Sequence, residues 1–161
     1  MKKTIIIFIY FNFLYGQDEG LKSFNNGDYN SARSFYENVL IKRTKDKEAK
    51  FGLGVTAYKQ NDIETAIKSF QSLINSDNKK IASMASYNFA NILKDKKNNQ
   101  ESLELYKKAI QLDPTNEDAK INYEILKNIL KNQQNQVNRI RINRIRINRI
   151  RINRIRINRI R

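Results

Sequence analysis

An all-α solenoid is the fold class this sequence predicts, and three observations carry it. Small residues and an aromatic recur in register: Gly20, Ala32 and Tyr36 reappear 34 residues later as Gly54, Ala66 and Phe70, and 36 residues further on as Ala90, Ser102 and Tyr106. Apolar residues between them follow the 3, 1, 3, 1 spacing of an amphipathic helix, as in Ala32, Phe35, Tyr36, Val39 and Leu40. Polar turn residues then divide each period into two helices. A two-helix unit of this length cannot bury its apolar face alone, so units stack into a superhelix with a groove. Three helix-turn-helix repeats and a C-terminal capping helix are expected, which predicts a binding scaffold.

The first unit spans residues 17–42. Its first helix carries Gly20, Leu21 and Phe24. Asn26-Gly27-Asp28 forms the turn, where Gly27 can take the positive φ that ends a helix and Asp28 can cap the next one. The second unit, 45–74, places Phe51, Leu53, Gly54, Ala57 and Tyr58 on its first helix. Its turn is Asn61-Asp62, and Ala66, Ile67, Phe70, Leu73 and Ile74 form the second stripe. The third unit, 81–114, has Met84, Tyr87, Phe89, Ala90 and Leu93, then a glycine-free turn at 96–99, then Leu103, Leu105, Tyr106, Ala109, Ile110 and Leu112. Asp113-Pro114 stops that helix, because proline lacks the N–H that would continue it. Thr115 is positioned to cap a last helix over 116–131, with Asp118 three residues on. The first small residue of each unit is expected where its two helices come closest, the second where consecutive units touch, and the aromatics between units.

Both ends differ from the middle. Lys2 and Lys3, an apolar run from Ile5 to Leu14 and a small Gly16 describe a secretory signal peptide over 1–16. The run is shorter than the roughly 20 residues of a transmembrane helix; cleavage after Gly16 and retention as an anchor both stay open. The chain is expected to be exported to the periplasm or cell envelope. There is no cysteine and no histidine. Disulfides and thiolate chemistry are excluded, and zinc or iron sites and the commonest general base lack their residues. With no glycine-rich phosphate loop either, no enzyme, cofactor, metal or small-molecule substrate is expected.

The formal charge of +15 belongs to the tail, where ten arginines and no acid lie between Asn138 and Arg161. Setting these and the two leader lysines aside leaves 19 basic against 16 acidic residues in a nearly neutral core. The tail repeats Asn-Arg-Ile-Arg-Ile every five residues. Five residues rotate a helix about 140° past a full turn and swap the faces of a strand, so neither structure gains a consistent apolar side. Residues 132–161 are read as a disordered low-complexity tail. Two origins stay open. Ten arginines can bind anionic lipid headgroups, and nucleic acid only if the chain is not exported. Alternatively, codons CAG-AAT-AAG-AAT-CAA for a Gln/Asn/Lys tail, read one base later in tandem, give Arg-Ile-Arg-Ile-Asn, so a frameshift in repetitive DNA would produce this repeat.

The run 54–63, followed by Ala66-Ile67, is similar to the tetratricopeptide consensus, and so is 106–114. More narrowly, the layout resembles the BatC family, the tetratricopeptide proteins of bacterial aerotolerance operons. The shared features are a signal peptide, three repeats, the helix at 116–124 and the Gln/Asn-rich run 132–136. This resemblance implies an envelope protein working with von Willebrand A-type membrane partners in stress tolerance. The Arg/Ile tail departs from the pattern. One subclass of these repeats grips a partner's C-terminal carboxylate with Lys, Arg and Asn. Here the corresponding places carry Gln17, Leu21 and Gly52, with asparagine only at Asn88 and Asn122, so no such clamp is expected.

First helices line the concave face of such a solenoid. The expected partner-binding residues are Phe51, Val55 and Tyr58, then Tyr87, Asn88, Asn91 and Lys94, then Ile121 and Asn122. Apolar and aromatic residues with a few amides suit a peptide laid in a groove; the same aromatics at helical spacing also suit packing between helices. The function read is a non-enzymatic protein–protein interaction scaffold of the envelope. The alternative is a membrane- or polyanion-binding adaptor acting through its tail.

Overall fold

The computed structural model describes residues 19–158, and every regular element among them is helical. Helix α1 covers the described residues 19–25 and is followed by α2 (Tyr29–Lys42), α3 (Lys47–Lys59), α4 (Ile63–Gln71), α5 (Lys79–Asp95), α6 (Asn99–Leu112) and α7 (Glu117–Asn158). The signal-peptide expectation falls outside the described residues. The chain divides into two compact units, one ending at Lys120 and the other running from Ile121. No described helix is long and apolar enough to cross a membrane.

Local chemistry sets the helix ends. Gly27 has φ +79°, and Asp28 accepts the Ser31 N–H at 3.0 Å to start α2. Asn61 takes the same left-handed conformation (φ 60°) before Asp62, whose carboxylate accepts from the Thr65 N–H. In the glycine-free third turn Lys97 does this at φ 62°. Aspartate 46 and Asn78 cap α3 and α5. The last helix is capped by Asn116, which accepts the Ala119 N–H at 3.0 Å, and not by Thr115, whose hydroxyl turns back to Asp113. Helix α4 ends at Gln71, earlier than its stripe suggests; Leu73 sits in the following turn yet is buried.

The small residues let helices approach. A Cβ on Gly20 would lie 2.4 Å from the Phe35 ring, and one on Gly54 would lie 2.8 Å from the Phe70 ring, so both mark contacts within a repeat. Ala32, Ala66, Ala90 and Ser102 are wholly buried. Ser102 corrects the expectation for the second small residue: its hydroxyl donates to the Ala90 carbonyl at 2.7 Å, so it faces α5 of its own repeat. Of the aromatics, Tyr36 does lie between repeats, against Gly52, whereas Phe70 and Tyr106 pack on Phe51 and Tyr87 of their own repeats. Hydroxyls are accommodated by the same logic: Ser83 donates to the Ala109 carbonyl, and no buried side-chain polar atom lacks a partner among the described residues.

The expected disorder of 132–158 is not what the structure has. Helix α7 runs on to Asn158. From Glu117 onward the sequence has neither glycine nor proline, and arginine and glutamine are good helix formers, so nothing local stops it. The absence of a consistent apolar side holds. Ile140, Ile142, Ile145, Ile147, Ile150, Ile152 and Ile155 are all more than half exposed.

Candidate functional site

Three helices of the first two repeats enclose a groove of about 470 Å³. Leu21 and Phe24 enter from α1, Phe35, Tyr36 and Val39 from α2, and Phe51, Gly52 and Val55 from α3. The α3 residues are spaced so that 48, 51, 52 and 55 share one helix face. Gly52 is what brings α3 close. A Cβ there would lie 2.3 Å from the Tyr36 ring, so any side chain would displace the tyrosine that forms the groove floor. A glycine inside a helix costs about 1 kcal/mol against alanine, so it marks a required close approach.

Polar groups stand at the edge. Asn25, Arg43, Asp46 and Glu48 line it. Arg43 and Asp46 form an ion pair at 3.2 Å while the same aspartate caps α3 at Ala49, so this pair holds the α2–α3 connection. Burial raises the Tyr36 hydroxyl above the usual tyrosine range, which keeps it neutral. The groove is therefore an apolar cleft with a sparse polar rim. No cluster of three or more metal-ligating side chains occurs among the described residues.

The predicted residues divide. Phe51 and Val55 line the groove. Tyr58 lies beyond it, donating to Asp95 Oδ2 at 2.9 Å and tying α3 to α5; burial, then the Asp95 carboxylate, raises its hydroxyl pKa. The Tyr87 ring packs on Tyr106, whose hydroxyl donates to Asn91 Oδ1, so these three form one contact within the third repeat. The Asn88 amide donates to the Met84 carbonyl one turn back. Lys94 is exposed near the end of α5. Ile121, exposed, and Asn122, half-buried, belong to the second unit.

Leu21, Phe24, Phe35, Tyr36, Val39 and Gly52 were not expected at a site. Phe35, Tyr36 and Val39 have the stripe spacing of packed residues, which does not mark them as a site. The signal available in the sequence is Gly52, a second glycine two residues before the repeat's own Gly54 and without counterpart in the other units.

The comparisons with known proteins agree with this architecture. Two tetratricopeptide repeat profiles match residues 24–86 and 85–116, together more than half of the chain. None of the curated proteins matches. Among solved structures, the first TPR domain of the human RPAP3 protein is similar with a TM-score of 0.65 at 15% identity, over 76% of this chain and 94% of that one. The first TPR of Spaghetti (RPAP3), bound to the HSP90 peptide SRMEEVD, has a TM-score of 0.65 at 14% identity, over 73% and 92%. MamA protein has a TM-score of 0.61 at 21% identity, over 73% and 63%. These likenesses concern the fold. With its paired helices, small residues at the helix contacts and matched repeat profiles, the chain belongs to the tetratricopeptide repeat family.

Proposed function

We propose that this chain is a non-enzymatic interaction scaffold whose groove across the first two repeats holds an apolar segment of a protein partner. One observation carries the reading: a cleft of about 470 Å³ whose walls are five apolar and aromatic side chains from α1 and α2 and three, Ala49, Phe51 and Val55, from α3. Such a surface takes the anchoring side chains of a helical or extended peptide, while a sparse polar rim sets direction. The peptide seen on one neighbour, SRMEEVD, carries two glutamates and ends in aspartate. Here the groove floor is Tyr36 over Gly52, and Asn88 spends its amide on its own helix, so an apolar anchor fits better than a carboxylate grip.

The proposal extends to place and pathway. The leader-like 1–16 supports export to the bacterial envelope, and the BatC-like layout supports von Willebrand A-type membrane partners in an aerotolerance complex. Affinity capture from envelope extract tests both, with the wild-type chain and Leu21→Asp as baits. Leu21 is 51% exposed, so the charge enters the groove without entering the core. A membrane partner held by the wild type and lost by the variant is expected; equal capture by both removes the groove from the account.

A further inference from the structure

Among the described residues, the C-terminal part of α7 carries the densest run of like charge, and the groove reading makes no use of it. Over 139–156 it carries eight exposed arginines, and no acidic residue follows Glu124. Among the described residues, none of these arginines has a carboxylate partner, all ion pairs lying at or before Lys127. At a rise of about 1.5 Å per residue this is one cation every 3–4 Å of helix, a density that condenses counterions.

How those cations are arranged selects the partner. At about 100° per residue, the five-residue repeat sends successive arginines around the helix with no gap wider than about 60°, and the isoleucines with none wider than about 80°. A helix that lies on a bilayer needs its apolar residues on one side and its cations on the other. This helix has both kinds on every side, so a planar headgroup surface meets only part of its charge and would face cations where acyl chains require apolar groups. A flexible chain with a charge at each link can follow arginines all the way round and release counterions along the whole rod.

We propose that α7, from Arg139 onward, binds a flexible linear phosphate polymer that carries no bases, wrapping the helix rather than lying along one side. Recognition is by phosphate charge, since guanidinium forks pair with phosphate oxygens.

Labelled long-chain inorganic polyphosphate is titrated with the full chain at several salt concentrations, followed by fluorescence anisotropy. Two triple variants divide the rod: Arg139→Gln/Arg146→Gln/Arg149→Gln on one side, Arg141→Gln/Arg144→Gln/Arg151→Gln on the other. Glutamine keeps helix propensity, and circular dichroism checks that it does. Binding is expected to weaken linearly in log–log salt plots. Each triple is expected to flatten the slope by about 2, at about 0.7 per lost contact on a flexible strand. Several results overturn the proposal: an unchanged slope in either triple, undiminished binding by a chain ending at Val137, or capture by phosphatidylglycerol vesicles without capture of the polymer. A single-stranded oligonucleotide of equal charge is the last arm. Comparable binding of it supports recognition by phosphate alone; binding of it without polyphosphate moves recognition to bases and overturns the assignment.

Discussion

Arg33 in the first repeat donates to Asp62 Oδ2 in the second at 2.9 Å, and the other oxygen of that carboxylate accepts the Thr65 N–H that starts α4. One side chain thus joins two repeats and caps a helix. The same guanidinium reaches Glu37 and Gln60, and Gln60 in turn donates to Asn30, so the inter-repeat seam is a small polar network. Thr65 and then Arg33 hold the Asp62 carboxyl below its ordinary 3.8; Glu37 and then Asp62 raise the Arg33 pKa.

A depressed folded-state pKa means the contribution of Asp62 is fully present above its unfolded value near 3.8 and is lost as pH falls through the lower folded value. Melting temperature is expected to fall below about pH 4 in the wild type and to lose part of that dependence in Asp62→Asn. Asp62→Ala should lower the melting temperature more than Arg33→Met, because only the aspartate change also removes a cap. Equal effects from the two variants would contradict the double role.

Gly54→Ala should destabilise the repeats. Its new methyl meets Phe70 at 2.8 Å and the Ser69 Cβ at 3.0 Å, both on buried residues with nowhere to move. Overpacking of about 1–3 kcal/mol exceeds the gain in helix propensity of about 1 kcal/mol. Urea denaturation followed by circular dichroism measures the difference.

Gly52→Ala should act on binding more than on stability. The atoms it meets are the outer ring of Tyr36, which faces the groove and can swing into it. Loss of partner affinity in Gly52→Ala with a melting temperature within a few degrees of wild type is expected. Partial recovery should follow in Gly52→Ala/Tyr36→Leu, where the ring is gone.

Removing 138–161 should leave the melting temperature of the repeats unchanged, because every arginine and isoleucine over 139–156 is exposed. Total helical ellipticity should drop. In the intact chain, added salt should raise helicity by screening i,i+3 like-charge pairs such as Arg141–Arg144 and Arg146–Arg149.

Much of the repeat body was legible because its causes are local. Gly27, Asp28 and Asp62 stand where short-range backbone chemistry leaves few alternatives, and the 34-residue recurrence sets the helix pairing. Threonine and asparagine are both favoured helix caps, so sequence alone does not rank Thr115 against the adjacent Asn116, which is the one that caps α7. Ser102 faces its own repeat; a small residue signals close approach without saying to which helix. The groove was half legible. Phe51 and Val55 follow from first-helix position, but Leu21, Phe24, Phe35, Tyr36 and Val39 have the same stripe spacing as core residues, and only three-dimensional stacking separates the two. In the tail, the five-residue period correctly denied a packed face; it did not deny a helix, whose backbone needs only the absence of breakers.

On the proposed reading, the groove over Tyr36 and Gly52 is where a partner segment sits. The most direct test selects binders from a random peptide library on the wild-type chain and maps them by amide chemical-shift changes. Binders rich in apolar anchors are expected, with the largest shifts at Leu21, Phe24, Tyr36, Val39, Phe51 and Val55 and no binding to Leu21→Asp. Binders whose shifts cluster on α5 and α6 and leave α1 and α3 unmoved would contradict it.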